Sequence, residues 1–132
     1  MSSSRIKVTV PHLIERKNTS EVLTMVTAYD STFASIVDEA GVDLILVGDS
    51  VATVMQGQKT TLGVSMEHME YHVRMVASAK PKALIVGDMP FGSYQASVHD
   101  AVNNAVRLIK AGAEIVKLEG GVHVREAIEA IV

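Results

Sequence analysis

Three acidic residues stand directly after short apolar runs of the sequence, where side chains that bind a cation or a substrate are expected. They are Asp49, Asp88 and Glu119, and each has a glycine beside it. Short apolar runs bounded by turn residues predict strands of a parallel sheet covered by helices. Ligands bind at the carboxyl ends of such strands. We therefore expect the three carboxylates to share one rim of the sheet.

The chemistry of these residues predicts a site for a hard divalent cation. Oxygen donors without nearby nitrogen or sulfur ligands suit Mg²⁺, which takes one or two protein carboxylates and completes its coordination with water and substrate oxygens. The alternative is structural, because an aspartate after a strand commonly serves a turn or caps a helix. The chain contains no cysteine, which excludes disulfides, thiolate metal sites and thiol nucleophiles.

Lys117 is a further candidate, because it lies in an otherwise apolar predicted strand. Strand side chains alternate, so Lys117 and Glu119 point to the same side. A buried lysine is costly without a partner. Paired with Glu119 and directed into the rim, it could hold a substrate carboxylate or a developing oxyanion. The alternative is a structural ion pair.

His68 and His72 lie four residues apart in a segment with helical periodicity. The glutamate between them, Glu70, is not at the position that a zinc-protease motif requires. We therefore expect the two histidines on a solvated helix face.

Alternating strands and helices are predicted to position these residues. A short helix is predicted over Val10 to Asn18. The predicted strands are Val22–Val26, Leu44–Val47, Ala83–Val86 and Ile115–Leu118. The main helices are predicted from Asp30 or Ser31 to Ala40, from Ser65 to Ala79, from Ala96 to Ala111, and from Val122 to Val132. We expect Gly41 and Gly112 to end two of these helices, residues 51–64 to form a loop, and Leu44–Val47 to be buried on both faces.

The order of four βα units predicts a parallel sheet with right-handed crossovers. Two architectures fit it. One is an open, doubly wound sheet of four or five strands. The other is a (β/α)8 barrel, which needs about 250 residues, so that 132 residues would be its first half.

Composition excludes several classes of protein. The length of 132 residues indicates one domain, and the net charge of −3 gives no indication of nucleic-acid binding. The N-terminus lacks the apolar core of a secretory signal. Apolar stretches are far shorter than the ~20 residues of a membrane helix. We expect a cytoplasmic protein without membrane contact.

Five motifs resemble the ketopantoate hydroxymethyltransferase family. They are Thr27-Ala28-Tyr29-Asp30, Leu46-Val47-Gly48-Asp49-Ser50, Met66-Glu67-His68-Met69 followed by Tyr71-His72, Asp88-Met89-Pro90-Phe91-Gly92-Ser93-Tyr94-Gln95, and Lys117-Leu118-Glu119-Gly120-Gly121. The resemblance extends from about residue 5 over nearly the whole chain. It implies a (β/α)8 barrel of the phosphoenolpyruvate/pyruvate superfamily, here about four βα units. Residues 1–20 would be a tail and an N-terminal helix, and residues 21–132 the four units.

The resemblance also implies an activity and its participants. The family transfers a hydroxymethyl group from 5,10-methylenetetrahydrofolate to 3-methyl-2-oxobutanoate in pantothenate biosynthesis. Residues matching Asp49, Asp88 and Glu119 surround Mg²⁺ in the family, and those matching Asp49, Ser50, Asp88 and Lys117 contact the 2-oxo acid. The family commonly forms homo-oligomers.

The sequence departs from the family's pattern at three places. Residues 51–58 lack the Leu-Gly usually found after Asp-Ser, and Gly63 replaces a usual proline. No residue matches the family's general-base glutamate, which we expect beyond Val132, so the chain alone should be inactive. The alternatives are a related carbon–carbon lyase acting on a 2-oxo acid and a non-catalytic α/β fragment.

Overall fold

Four parallel strands alternate with helices in the computed structural model, which describes residues 5–132. The strands β1 to β4 are Met25–Thr27, Leu44–Val47, Leu84–Asp88 and Ile115–Lys117. The α-helices α1 to α6 are Val10–Arg16, Ser31–Glu39, Val51–Val54, Met66–Ser78, Val98–Ala111 and Arg125–Ile131. Two 3-10 turns cover Thr61–Gly63 and Gly121–Val124. Within the described range, no helix combines the length and the apolar character needed to cross a membrane.

The strands lie side by side in chain order, β1-β2-β3-β4, and all pairs are parallel. Right-handed crossovers between successive neighbours place every connecting helix on the same face of the sheet. A doubly wound sheet instead reverses its strand order and carries helices on both faces. The observed order is that of a (β/α)8 barrel, of which these units form a part.

Strand β2 is fully buried on only one of its faces. Ile45 and Val47 are completely buried, whereas Leu44 and Leu46 on the opposite face are half-buried. The prediction that this strand is buried on both faces is therefore wrong. The physical reason is that the helices pack on one face of the sheet and leave the other to be covered only in part.

Local sequence signals mark the start of α2 and α4 and the end of α2 and α5, as predicted. Asp30 accepts a hydrogen bond from a backbone N–H in the first turn of α2, and Ser65 does the same for α4. Gly41 and Gly112 follow the ends of α2 and α5 with φ values of +89° and +117°. Such values favour glycine, and the predicted helix stops are confirmed.

Several predicted boundaries are wrong for identifiable reasons. The helix predicted from Ala96 begins at Val98, because Ser97 caps it. The helix predicted from Val122 begins at Arg125, after a 3-10 turn.

The first strand begins at Met25 rather than Val22, because the Asp43 carboxylate accepts the N–H of Thr24 at 2.8 Å. Residues 51–64 are not only a loop, since Val51–Val54 form α3. Val51 is completely buried, so packing supports a helix too short to show a periodic pattern.

The segment before α1 is attached to the sheet rather than extending as a tail. Lys7 Nζ donates to the carbonyl of Ala83 at 2.9 Å, and Val8 N donates to the carbonyl of Lys82 at 2.7 Å. Residues 5–9 of the predicted tail are therefore held against the sheet as a short extension. The first four residues of that tail lie outside the described range.

Candidate active site

Asp88, the last residue of β3, is the best-buried acid of the predicted site. Its side chain is only 4% exposed. Oδ1 accepts a hydrogen bond from Lys117 Nζ at 2.6 Å, and Oδ2 accepts one from the backbone N–H of Asp49 at 3.1 Å. Burial raises the pKa of Asp88, and this effect outweighs the hydrogen bonds from Lys117 and Asp49, which favour the ionised form.

Lys117 joins two of the predicted carboxylates. The register of β3 and β4 places it opposite Asp88, and its Nζ lies 2.9 Å from Glu119 Oε1. Burial lowers the pKa of Lys117, but the hydrogen bonds and charges of the two carboxylates outweigh burial and raise it. The ammonium group therefore stays protonated at neutral pH and links the ends of two strands.

A cleft of about 370 Å³ lies at the carboxyl ends of the strands. Its lining includes all three predicted carboxylates, and the full set is Asp49, Thr61, Leu62, Asp88, Met89, Phe91, Tyr94, Gln95, Glu119 and Gly120. The strand ends thus bring the three acids together at one rim. Apart from the Met89 thioether, which is a soft ligand, the side-chain atoms that could coordinate a cation here are carboxylate, hydroxyl and amide oxygens, the donor chemistry that fits a hard cation.

The other two predicted residues, Ser50 and Lys117, are not part of this lining. Ser50 lies directly after Asp49. Its Oγ is 2.8 Å from the Oη of Tyr29, which follows β1. A Cβ atom added at Gly48 would lie 2.9 Å from the same Oγ. The glycine therefore leaves the space in which the serine hydroxyl sits.

Of the two histidines of α4, His68 is solvent-exposed as predicted, whereas the prediction is wrong for His72. His72 is buried at 9% exposure, and its Nδ1 lies 2.8 Å from the carbonyl oxygen of Tyr29. His68 has a local role, since its side chain and that of Ser65 form a reciprocal cap at the start of α4. The hydrogen bond to the Tyr29 carbonyl gives the buried imidazole nitrogen a partner.

Sequence reasoning also missed Tyr94, which ties two loops of the cleft together. Tyr94 is 6% exposed, and its Oη accepts the backbone N–H of Glu119 at 3.1 Å. The preceding residue is held by α5, because Asn104 Nδ2 donates to the carbonyl of Ser93 at 2.7 Å. The only sequence signal for this role is the position of Tyr94 in the Pro-Phe-Gly-Ser-Tyr motif.

The family of this chain follows from its sequence. The model of the family described as "Ketopantoate hydroxymethyltransferase" matches residues 7–132. The chain belongs to the ketopantoate hydroxymethyltransferase family. A 3-methyl-2-oxobutanoate hydroxymethyltransferase of Ignicoccus hospitalis is 56% identical over 126 residues, 96% of this chain and 48% of that protein. One of Pelobacter propionicus is 50% identical over 132 residues, 99% of this chain and 49% of that protein. The chain thus spans about half the length of these curated relatives.

Solved structures confirm the fold of this family member. A phosphoenolpyruvate phosphomutase of Streptomyces platensis subsp. rosaceus matches with a TM-score of 0.70 and 17% identity, over 90% of this chain and 47% of that one. A 2,3-dimethylmalate lyase of the PEP mutase/isocitrate lyase superfamily matches with a TM-score of 0.66 and 15% identity, over 91% of this chain and 48% of that one. The predicted partial (β/α)8 barrel is confirmed.

Proposed function

We propose that this chain carries the magnesium and 2-oxo-acid half of a ketopantoate hydroxymethyltransferase site. The activity of the whole enzyme would be transfer of a hydroxymethyl group from 5,10-methylenetetrahydrofolate to 3-methyl-2-oxobutanoate. The observation that carries the proposal is the cleft lined by Asp49, Asp88 and Glu119, with Lys117 bridging the last two carboxylates. Membership of the family supports the choice of substrates.

Asp49, Asp88 and Glu119 are the residues that would hold Mg²⁺. Among residues 5–132, no three acidic or histidine side chains already converge as a ready ligand set. This is compatible with Mg²⁺, which usually retains several waters and takes only one or two protein carboxylates. When bound, the ion would polarise the keto group and acidify the adjacent C–H bond.

The residues of the chain would bind and orient the 2-oxo acid. Lys117 presents a fixed positive charge at the end of β4, where it would stabilise negative charge developing on a substrate oxygen. The Ser50 hydroxyl would donate to the substrate carboxylate. The general base that takes the C–H proton has no match in this chain, so binding without turnover is the expected behaviour of the 132 residues alone. Cytoplasmic location and homo-oligomer formation are part of the same proposal and follow from the family alone.

Calorimetry with 3-methyl-2-oxobutanoate tests the proposal. We expect binding in the presence of Mg²⁺ and its loss when Mg²⁺ is chelated. Asp49→Ala and Asp88→Ala should each abolish the Mg²⁺-dependent binding, whereas Glu39→Ala, a change at an exposed acid of α2, should leave it intact. Binding that survives chelation or both cleft substitutions would contradict the proposal.

A lyase that cleaves a 2-oxo acid was the alternative from the same superfamily. Relatives about 50% identical carry the transferase name, and the lyase resemblance is one of fold alone, at 15% identity. The lyase alternative is therefore not favoured.

A further inference from the structure

We propose that Tyr29 is a positioning residue for Ser50, whose hydroxyl it orients toward the carboxylate of a bound 2-oxo acid, and that His72 holds Tyr29 in place. The inference rests on the function proposed above. It adds two residues, one after the end of β1 and one in α4. Neither lines the carboxylate cleft, and neither belongs to the ion pairs of Lys117.

The direction of the hydrogen bond follows from the chemistry of the groups. A carboxylate can only accept hydrogen bonds, so the Ser50 hydroxyl must donate its proton to it. The Ser50 oxygen can then only accept from Tyr29, whose Oη is 2.8 Å away. Tyr29 therefore uses its phenolic proton to fix the serine oxygen, and this leaves the serine proton for the substrate.

The surroundings restrict Ser50 to this arrangement. Tyr29 is only 7% exposed, so its ring is held by packing and its hydroxyl is presented in a constant place. The absence of a Cβ at Gly48 leaves room for the Ser50 oxygen, which a methyl group would approach to 2.9 Å. A donor that is oriented before the ligand arrives saves the cost of ordering it on binding.

His72 provides the support for Tyr29. The carbonyl oxygen of Tyr29 can only accept, so His72 Nδ1, 2.8 Å away, must carry a proton and donate it. The two rings also meet edge to face, with centroids 6.3 Å apart. Helix α4 thereby holds the backbone of the turn that follows β1.

Calorimetric titration with 3-methyl-2-oxobutanoate in Mg²⁺ buffer tests the coupling through a double-mutant cycle. Tyr29→Phe keeps the ring and removes the hydroxyl, and we expect the dissociation constant to rise about threefold to tenfold, the effect of one hydrogen bond. Ser50→Ala should weaken binding at least as much. Because Tyr29 acts through Ser50, adding Tyr29→Phe to Ser50→Ala should cause no further loss.

Matched substitutions separate positioning from general damage to the fold. Tyr71→Phe removes a hydroxyl from a tyrosine that is 58% exposed, and it should leave the dissociation constant unchanged. His72→Asn keeps a donor at the place of Nδ1 and should bind nearly as well as the parent, whereas His72→Leu should show the Tyr29→Phe defect.

The outcomes distinguish this inference from the proposed function. A parent chain that binds the acid while Tyr29→Phe binds it equally well overturns the inference alone. An equal loss from Tyr29→Phe with and without Ser50 also overturns it. A parent chain that shows no Mg²⁺-dependent binding overturns the proposed function and this inference with it.

Discussion

The ion pair between Lys117 and Asp88 leads to a quantitative prediction for Lys117→Met, which keeps the aliphatic chain and removes the ammonium. The Asp88 carboxylate, 4% exposed, would lose a charged partner 2.6 Å away. Removing one partner of a buried pair costs about 3–5 kcal/mol. The Lys117 side chain is 33% exposed, and solvent screening reduces that figure. We expect the free energy of unfolding at pH 7 to fall by about 2 kcal/mol.

Urea unfolding in metal-free buffer measures this loss, and two further results identify its cause. Asp88→Asn combined with Lys117→Met should recover most of the stability, because a neutral amide needs no counter-charge and can still accept the N–H of Asp49. Burial already raises the pKa of Asp88, and loss of the ammonium raises it further. The destabilisation should therefore be full above this raised pKa and shrink as the pH falls below it. A loss under about 0.5 kcal/mol, within the ordinary range for surface substitutions, would refute the reasoning, as would a loss that is the same at low and neutral pH.

Three other predictions concern stability and association. The hydrogen bond from Arg107 lowers the pKa of Glu67 from 4.5 to about 2, so the stabilisation by this ion pair is present above pH 4.5 and is lost as the pH falls toward 2. Glu67→Gln should therefore flatten the decline of the urea unfolding midpoint between these pH values. An unchanged decline would contradict the ion pair. Gly112→Ala should lower the free energy of unfolding by about 2 kcal/mol or more, because a side chain at this positive φ is strained and its Cβ would lie 2.5 Å from the Cβ of Ala77. Gly41→Ala, at a positive φ with open space around it, should lower it less in the same denaturant titration. Strands β1 and β4 have no outer neighbour within residues 5–132, so light scattering should detect association of the purified chain, and a monodisperse monomer would argue against it.

The parts of the fold that depend on local chemistry could be predicted from the sequence. Asp30, Ser65 and Gly112 mark helix ends because caps and positive φ are properties of single residues. The convergence of Asp49 and Asp88 was predictable as well, since parallel strands end at the same edge of a sheet. The activity and the roles of individual residues depended on resemblance to the family.

The features that escaped prediction depend on contacts between distant segments. His72 lies at helical spacing from the buried Met69 and Val76, but its polar side chain finds a partner only because Tyr29 passes beside α4. The short helix at Val51–Val54 is stabilised by packing rather than by a repeating pattern. The contact between Tyr29 and Ser50 arises because β1 and β2 are neighbours, which depends on the strand order.

Paramagnetic relaxation provides the most direct test that this chain brings a divalent cation and a 2-oxo acid together at one rim. Mn²⁺ would replace Mg²⁺, and the methyl proton resonances of 3-methyl-2-oxobutanoate would be followed during titration with the chain. We expect strong broadening that requires the chain and the cation together and disappears with Asp88→Ala. Broadening that is equal with the parent chain, with Asp88→Ala and without protein would contradict the account.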